Sequence, residues 1–190
     1  MTDLSMTSLQ NHLLIAMPTL EDPLFGRSVT YICEHNTDGA MGIVINHPLS
    51  INVSELLQQL DIEHDANSIA AKAQVCAGGP VQNERGFVLH TPKAGFISSL
   101  KLTDDLMVTT SKDILEQLTS DNAPEKFILA LGYAGWSAGQ LEKEMAENSW
   151  LMIPADNNII FEMSHAEKWQ GAAHAMGIEV WQLSPEAGHA

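Results

Sequence analysis

Two apolar, β-branched runs, Ser28–Cys33 (SVTYIC) and Met41–Asn46 (MGIVIN), flank a polar stretch, Glu34–Gly39 (EHNTDG), that ends in Asp38-Gly39. β-Branched and aromatic side chains suit a pleated, half-buried surface. Asp-Gly supplies the positive backbone angles that a tight strand connection needs. Together they predict an antiparallel hairpin near the start of the chain. A hairpin connection cannot join parallel strands, which need a long crossover. The chain is therefore read as α+β and not as a doubly wound α/β sheet.

The rest of the chain fits that class. Leu13–Met17 is an apolar run closed by Pro18, and short strands are expected at Gln74–Ala77, Gly86–His90 and Met107–Thr109. Phe127–Leu131, bounded by Lys126 and Gly132, has the continuous apolar character of a buried central strand. Trp150–Ile153 and Ile178–Leu183 are further strand candidates. Asn52 stands three residues before Glu55, a capping-box pattern that opens a helix over Val53–Leu60. Similar starts at Ser111, Ser137 and Ser164 predict helices running to about Leu118, Glu147 and Gly177. No repeat or linker divides the chain, so residues 1–190 read as one domain whose first ten, polar residues are expected to be mobile.

Charge excludes whole function classes. Lys and Arg total 9 against 24 Asp and Glu, a formal net charge of −15, and the cations are scattered along the chain. A duplex-binding surface needs clustered cations to displace counterions, so direct nucleic-acid binding is not expected, and anionic membranes are no better a partner. With no Lys or Arg before Arg27 and no apolar run of spanning length, the chain is expected to be cytoplasmic. Its two cysteines, Cys33 and Cys76, would stay reduced there.

The sharpest catalytic motif is Gly135-Trp136-Ser137-Ala138-Gly139, a G-x-S-x-G match with Asp156 and then His165, His174 or His189 following in Ser…Asp…His order. The bland reading makes Ser137 a helix cap and the glycines loop residues, and the α/β alternation that a hydrolase sheet requires is absent. A phosphate-binding reading of the same loop lacks the Gly-Lys-Ser/Thr ending of a P-loop. No H-x-H, H-E-x-x-H or C-x-x-C spacing occurs, so neither metal nor cofactor is expected. Cys33 ends a strand beside Glu34 and His35. His35 is read as badly placed to activate it and Glu34 as raising its pKa, so both cysteines are taken as buried structural thiols.

Several segments carry a family resemblance. The runs Asn11–Pro18 (NHLLIAMP), Asp22–Asn36 (DPLFGRSVTYICEHN), Gly39–Pro48 (GAMGIVINHP), Gly78–Val81 (GGPV), Arg85–Thr91 (RGFVLHT) and Leu131–Glu142 (LGYAGWSAGQLE) resemble the AlgH-like family, as do Asn148–Leu151 (NSWL) and Gly188–Ala190. The match runs end to end in order. The resemblance implies a branched, mixed or antiparallel sheet that includes a small closed barrel, surrounded by helices. It also implies a regulatory role, and in this family's pattern Ser137 falls on a variable position.

These readings converge on a binding or regulatory module working through a protein partner or small ligand, with a Ser137 hydrolase and a direct DNA-binding regulator as rivals. The site is expected near Arg27, Glu34, His35 and Arg85, within a polar set that also holds Asn46, Glu84 and His90. Two arginines offer few places for bidentate recognition of carboxylate or phosphate. Arg27 and Glu34 lie at opposite ends of one predicted strand, about 20–25 Å apart at 3.3 Å per residue, so a shared site would need a bend.

Overall fold

The hairpin forms and seeds a curled sheet. In the computed structural model, which describes residues 7–179, β1 (His12–Ala16) precedes the hairpin strands β2 (Val29–Asn36) and β3 (Gly39–Val44). β4 (Pro48–Asn52) and α1 (Val53–Gln59) follow, then β5 (Gln74–Ala77), β6 (Val81–His90), β7 (Ser99–Thr103) and β8 (Leu106–Thr109). α2 (Lys112–Leu115), β9 (Phe127–Ser137), α3 (Gln140–Ala146), β10 (Trp150–Pro154), a π-helical turn at Asn158–Glu162 and α4 (Lys168–Ala175) complete it. No helix among the described residues is long and apolar enough to cross a membrane.

The strands lie in the order β10-β1-β2-β3-β9-β6-β8-β7, antiparallel throughout. β5 branches from this path, pairing parallel with β9 and antiparallel with β4. The branched, mixed sheet is thus present. The expected closed barrel is instead an open half-barrel, because no ladder joins β10 to β7. Side chains span the gap: Asn11 Nδ2 donates to the Leu102 carbonyl (3.0 Å) and Asn157 Nδ2 to that of Asp105 (3.1 Å).

The expected jacket of helices is also corrected, since the four α-helices among the described residues have only 4 to 8 residues. Asn52 completes its capping box, accepting from Glu55 N at 2.8 Å while its own N–H reaches Glu55 Oε1 at 3.4 Å. The serine caps fail for local reasons. Ser111 turns its hydroxyl to Asp113, and α2 ends at Leu115. Ser137 stays in β9, and α3 starts only after Gly139, which is left-handed (φ 76°). Ser164 lies too far before α4, whose N-cap is Glu167. The expected strand Ile178–Leu183 lies mostly outside the described residues, as do residues 1–6 of the expected mobile stretch, whereas Leu9 is buried.

β9 does not stop at Gly132 as its sequence suggests. It continues to Ser137, pairing with β5 and β6 over its first half and with β3 over its second. The passage depends on Gly132 (φ 80°), where an added Cβ would stand 2.4 Å from the Gly79 carbonyl oxygen. A Cβ on Gly79 would in turn meet the Tyr133 carbonyl carbon at 2.1 Å.

Three apolar clusters result. Leu13, Ile15, Tyr31, Ile43, Leu89 and Ile128 fill the concave side with Trp169 and Ala172 of α4. Val53, Leu57, Val75, Val88 and Leu129 pack with Ile114 and Leu118. Leu14, Ile32, Ala134, Trp136, Leu141 and Trp150 form the third, under the hairpin and α3. Phe25 and Trp136 each pack near edge-on to Trp150 there (5.9 and 6.2 Å between ring centroids).

Gly132→Ala should destabilise the fold by at least about 2 kcal/mol, from left-handed backbone strain plus contact with Gly79. Gly86→Ala, whose Cβ would meet nothing closer than 3.7 Å, should be nearly silent in the same chemical denaturation series. Asn52→Ala should lower stability by about 1 kcal/mol through loss of the cap.

Candidate functional site

The site is built by a defect in β2. Tyr31 and Cys33 face the concave core, but the register to β3 shifts between Ile32 and Glu34, after which Glu34 opposes Met41 and His35 opposes Ala40. The extra residue of such a bulge turns the following side chains over. His35 therefore points into the third cluster, and Glu34 emerges on the other side beside Met41.

His35 is buried and fully engaged. Its Nδ1 accepts the Leu9 backbone N–H at 2.8 Å, which leaves Nε2 protonated to donate to Glu142 Oε1, 107 residues away. One imidazole thus ties the N-terminal segment, the hairpin and α3 together, with no free nitrogen for acid–base work. Burial alone would raise the Glu142 carboxyl. The hydrogen bond from His35, the Glu142 backbone N–H and attraction to the imidazole outweigh it and hold the group below its ordinary value. The second oxygen, Oε2, is buried without a partner among the described residues.

On the other side lies a cleft of about 420 Å³ between the hairpin tip and β9, bordered by Glu34, Asn36, Asp38, Met41, Tyr133 and Trp136. The tip is a two-residue turn at Thr37-Asp38. Asn36 orders it, accepting the Asp38 N–H at 2.8 Å and donating to Glu34 Oε1 at 3.2 Å. Gly39 lets the hairpin press on β9, since a Cβ there would stand 2.2 Å from the Trp136 carbonyl oxygen. The cleft wall holds two carboxylates and no Lys, Arg or His.

The four residues singled out by sequence are not gathered. Arg27 is left-handed (φ 56°) and lays its guanidinium 5.3 Å over the Trp169 ring. Arg85 reaches Gln82 and Thr110, both at 3.3 Å, and lies 5.6 Å over Phe87. Glu34 borders the cleft, and His35 backs it from the core. Of the wider polar set, Asn46 accepts from Val29 N (2.8 Å) and donates to the Arg27 carbonyl (2.9 Å). His90 is buried on Thr109 Oγ1 (2.7 Å), and Glu84 borders a separate cavity of about 230 Å³. Asp38, Tyr133, Trp136 and Glu142 were missed. The quoted Leu131–Glu142 segment contains three of them, but only strand register brings them to the hairpin.

Ser137 is not placed as a nucleophile. Its N–H and Oγ donate to Gln140 Oε1 (3.0 and 3.2 Å). Asp156 caps the turn at Asn158, His165 lies against Ile45 and Lys168, and His174 pairs with Glu179. His189 lies outside the described residues. Both cysteines are free and buried. Burial first, and then the Glu34 charge, push the Cys33 thiol up to about 12. Among the described residues no group of three or more His, Cys, Asp or Glu side chains could hold a metal ion.

The AlgH-like family model matches residues 13–181. A UPF0301 protein of Pseudoalteromonas translucida is 56% identical over 185 residues, covering 97% of this chain and all of that one. One from Idiomarina loihiensis has the same identity and coverage. The solution structure of the AlgH protein from Pseudomonas aeruginosa aligns over the whole of both chains with a TM-score of 0.78 and 44% identity. A crystal structure of a Corynebacterium diphtheriae protein, 17% identical, shares the fold (TM-score 0.71, 94% of this chain and 92% of that one).

His35→Ala should destabilise the fold by about 2 kcal/mol, because it leaves the buried Leu9 N–H and a half-buried carboxylate unpaired. Glu142 is held below the ordinary carboxyl value of 4.5, so the stability it contributes is present above that value and is lost as pH falls through the lowered one. Glu142→Gln should therefore be less stable than the parent at pH 6, with the gap shrinking toward pH 3 in parallel denaturation curves.

Proposed function

The chain belongs to the AlgH-like family, and on that footing we propose that it is a non-catalytic binding module whose hairpin cleft takes a cationic group offered by a protein partner. The observation that carries this reading is the make-up of the cleft. Glu34 and Asp38 stand at its rim with no Lys, Arg or His among the described lining residues, and Tyr133 supplies an aromatic wall. A lysine or arginine side chain would gain charge-assisted hydrogen bonds from the carboxylates and a cation–π contact from the ring. The net charge of −15 would draw such a partner in from a distance. Asn36 already holds the turn in place, so little ordering is needed on binding.

Regulation, in this reading, runs through the captured partner. A direct operator contact would set the acidic surface against phosphate. A Ser137 hydrolase finds no support in that serine's hydrogen bonds, which go to Gln140. Two buried, reduced thiols suit a cytoplasmic setting.

Titration with short lysine- and arginine-containing peptides and with spermidine should show binding that weakens as salt rises. The Glu34→Gln/Asp38→Asn pair should weaken it by about tenfold or more, roughly 1.4 kcal/mol, without loss of fold. Equal binding by the double variant, or no binding by the parent, would remove the cleft from consideration.

A further inference from the structure

Lys168 is the largest departure from ordinary burial outside the cleft. It opens α4 beside Trp169, and the residue is 1% exposed. Lysine is almost never buried to this degree unless it is paired. The ion pairs formed among the described residues do not include it. Its Nζ donates instead to the Ile45 carbonyl at the end of β3 (2.9 Å) and lies 3.2 Å from His165 Nδ1. His165, half-buried just before α4, stands with Nδ1 3.1 Å from the same carbonyl and Nε2 3.7 Å from the Cys76 sulfur. Three elements, β3, β5 and α4, therefore meet at one amine, one imidazole and one thiol.

We propose that Lys168 and His165 form a proton-driven latch that holds α4 on the sheet near and above neutral pH and releases it on acidification. The hydrogen-bond inventory carries this. A neutral imidazole can accept at Nδ1 from Lys168, whereas an imidazolium donates at both nitrogens and cannot. Protonating His165 in place removes that acceptor and sets a second positive charge 3.2 Å from the first. The Ile45 carbonyl favours the imidazolium only in part, and among the described residues no carboxylate joins it. Cys76 on β5 and Tyr31 and Cys33 on β2 are neutral groups whose pKa values burial pushes up. Arg27 and His47 bring no negative charge, Glu162 on the adjoining turn is paired with Lys126, and Glu167 is exposed.

The sign follows from linkage. Burial first, and then the charge of Lys168, lower the His165 pKa from its ordinary 6.5. Burial lowers Lys168 from 10.5 to about 8, partly opposed by Cys76. Both groups bind protons more readily once α4 is released, so the open state gains as pH falls. The Lys168 arm acts between 10.5 and about 8, and the His165 arm below 6.5.

Cys76, 0% exposed, reports the opening, and Cys33, 3% exposed in the same concave core, reports global unfolding. The full-length protein is labelled with 4,4′-dithiodipyridine, which reacts in acid. Adducts are located by mass spectrometry, and each rate is divided by that of the denatured chain at the same pH. Cys76 labelling should rise between pH 7.5 and 5.5, by about tenfold at most, the ceiling for one proton, while Cys33 stays protected. His165→Gln should flatten the rise. Lys168→Met, which keeps an apolar stem, removes the second charge and frees His165 to donate to Ile45, should shrink it, leaving only the part due to burial, so the test survives if one variant misfolds. A flat Cys76 profile in the parent, a rise of undiminished size in either folded variant, or Cys33 rising in step would overturn the latch.

Discussion

Backbone touches backbone where Gly78 and Gly79 cross Gly132 and Tyr133, and the rest of the sheet hangs on that contact. An added Cβ on Gly78 would lie 2.3 Å from the Gly132 carbonyl oxygen, closer than side chains tolerate. Because the glycines allow it, β9 bends at Gly132 and carries on, so one strand of 11 residues pairs with β5 and β6 and then with β3. The hairpin half and the β6–β8 half of the molecule share that strand as their common spine. A side chain at the crossing would part the two halves and with them the Tyr133–Trp136 stretch that walls the cleft.

Long-range polar contacts then do what the short helices cannot. Each helix buries only a few residues, so the curvature of the sheet is held by groups reaching across it. Asn11 and Asn157 bridge the open side, and Tyr31 OH, itself within the core, donates to Asn11 Oδ1 at 2.7 Å. Asn46 fastens the loop before β2, and His35 fastens the N-terminal segment to α3. Trp169 Nε1 donates to the Ala16 carbonyl at 2.8 Å and seats α4. In a low-dielectric interior such bonds are strong when satisfied and costly when broken, which makes these few side chains structural determinants despite their polarity.

The same logic separates holding from binding among the titratable groups. His35 has both nitrogens occupied and Arg27 and Arg85 stack on aromatic rings, so these serve the fold. Asn36 orders Glu34 and the Asp38 backbone, and both carboxylates border the open cleft. Lys168 combines the two, since it ties α4 down with a charge whose burial is unfavourable.

The sequence by itself determined the hairpin, the capping box at Asn52, the α+β class, the burial of both thiols and the strongly acidic balance of charge. Each of these rests on residues within about four positions of one another or on composition, where propensity and charge act without tertiary help. It also held the family resemblance. Only the tertiary structure decided that β2 bulges after Ile32, which turns His35 inward and Glu34 outward. It alone brought Glu142 to His35 across 107 residues, sent the two arginines to different aromatic partners, and left the barrel open. Strand register fixes such contacts, and a one-residue shift reverses every side chain beyond it. The buried lysine left a faint local trace, because Lys168 shares the spacing of Trp169, Ala172 and Ala173 along the inward face of α4. What that face meets, a carbonyl and an imidazole, depends on where β3 ends, and only packing sets that.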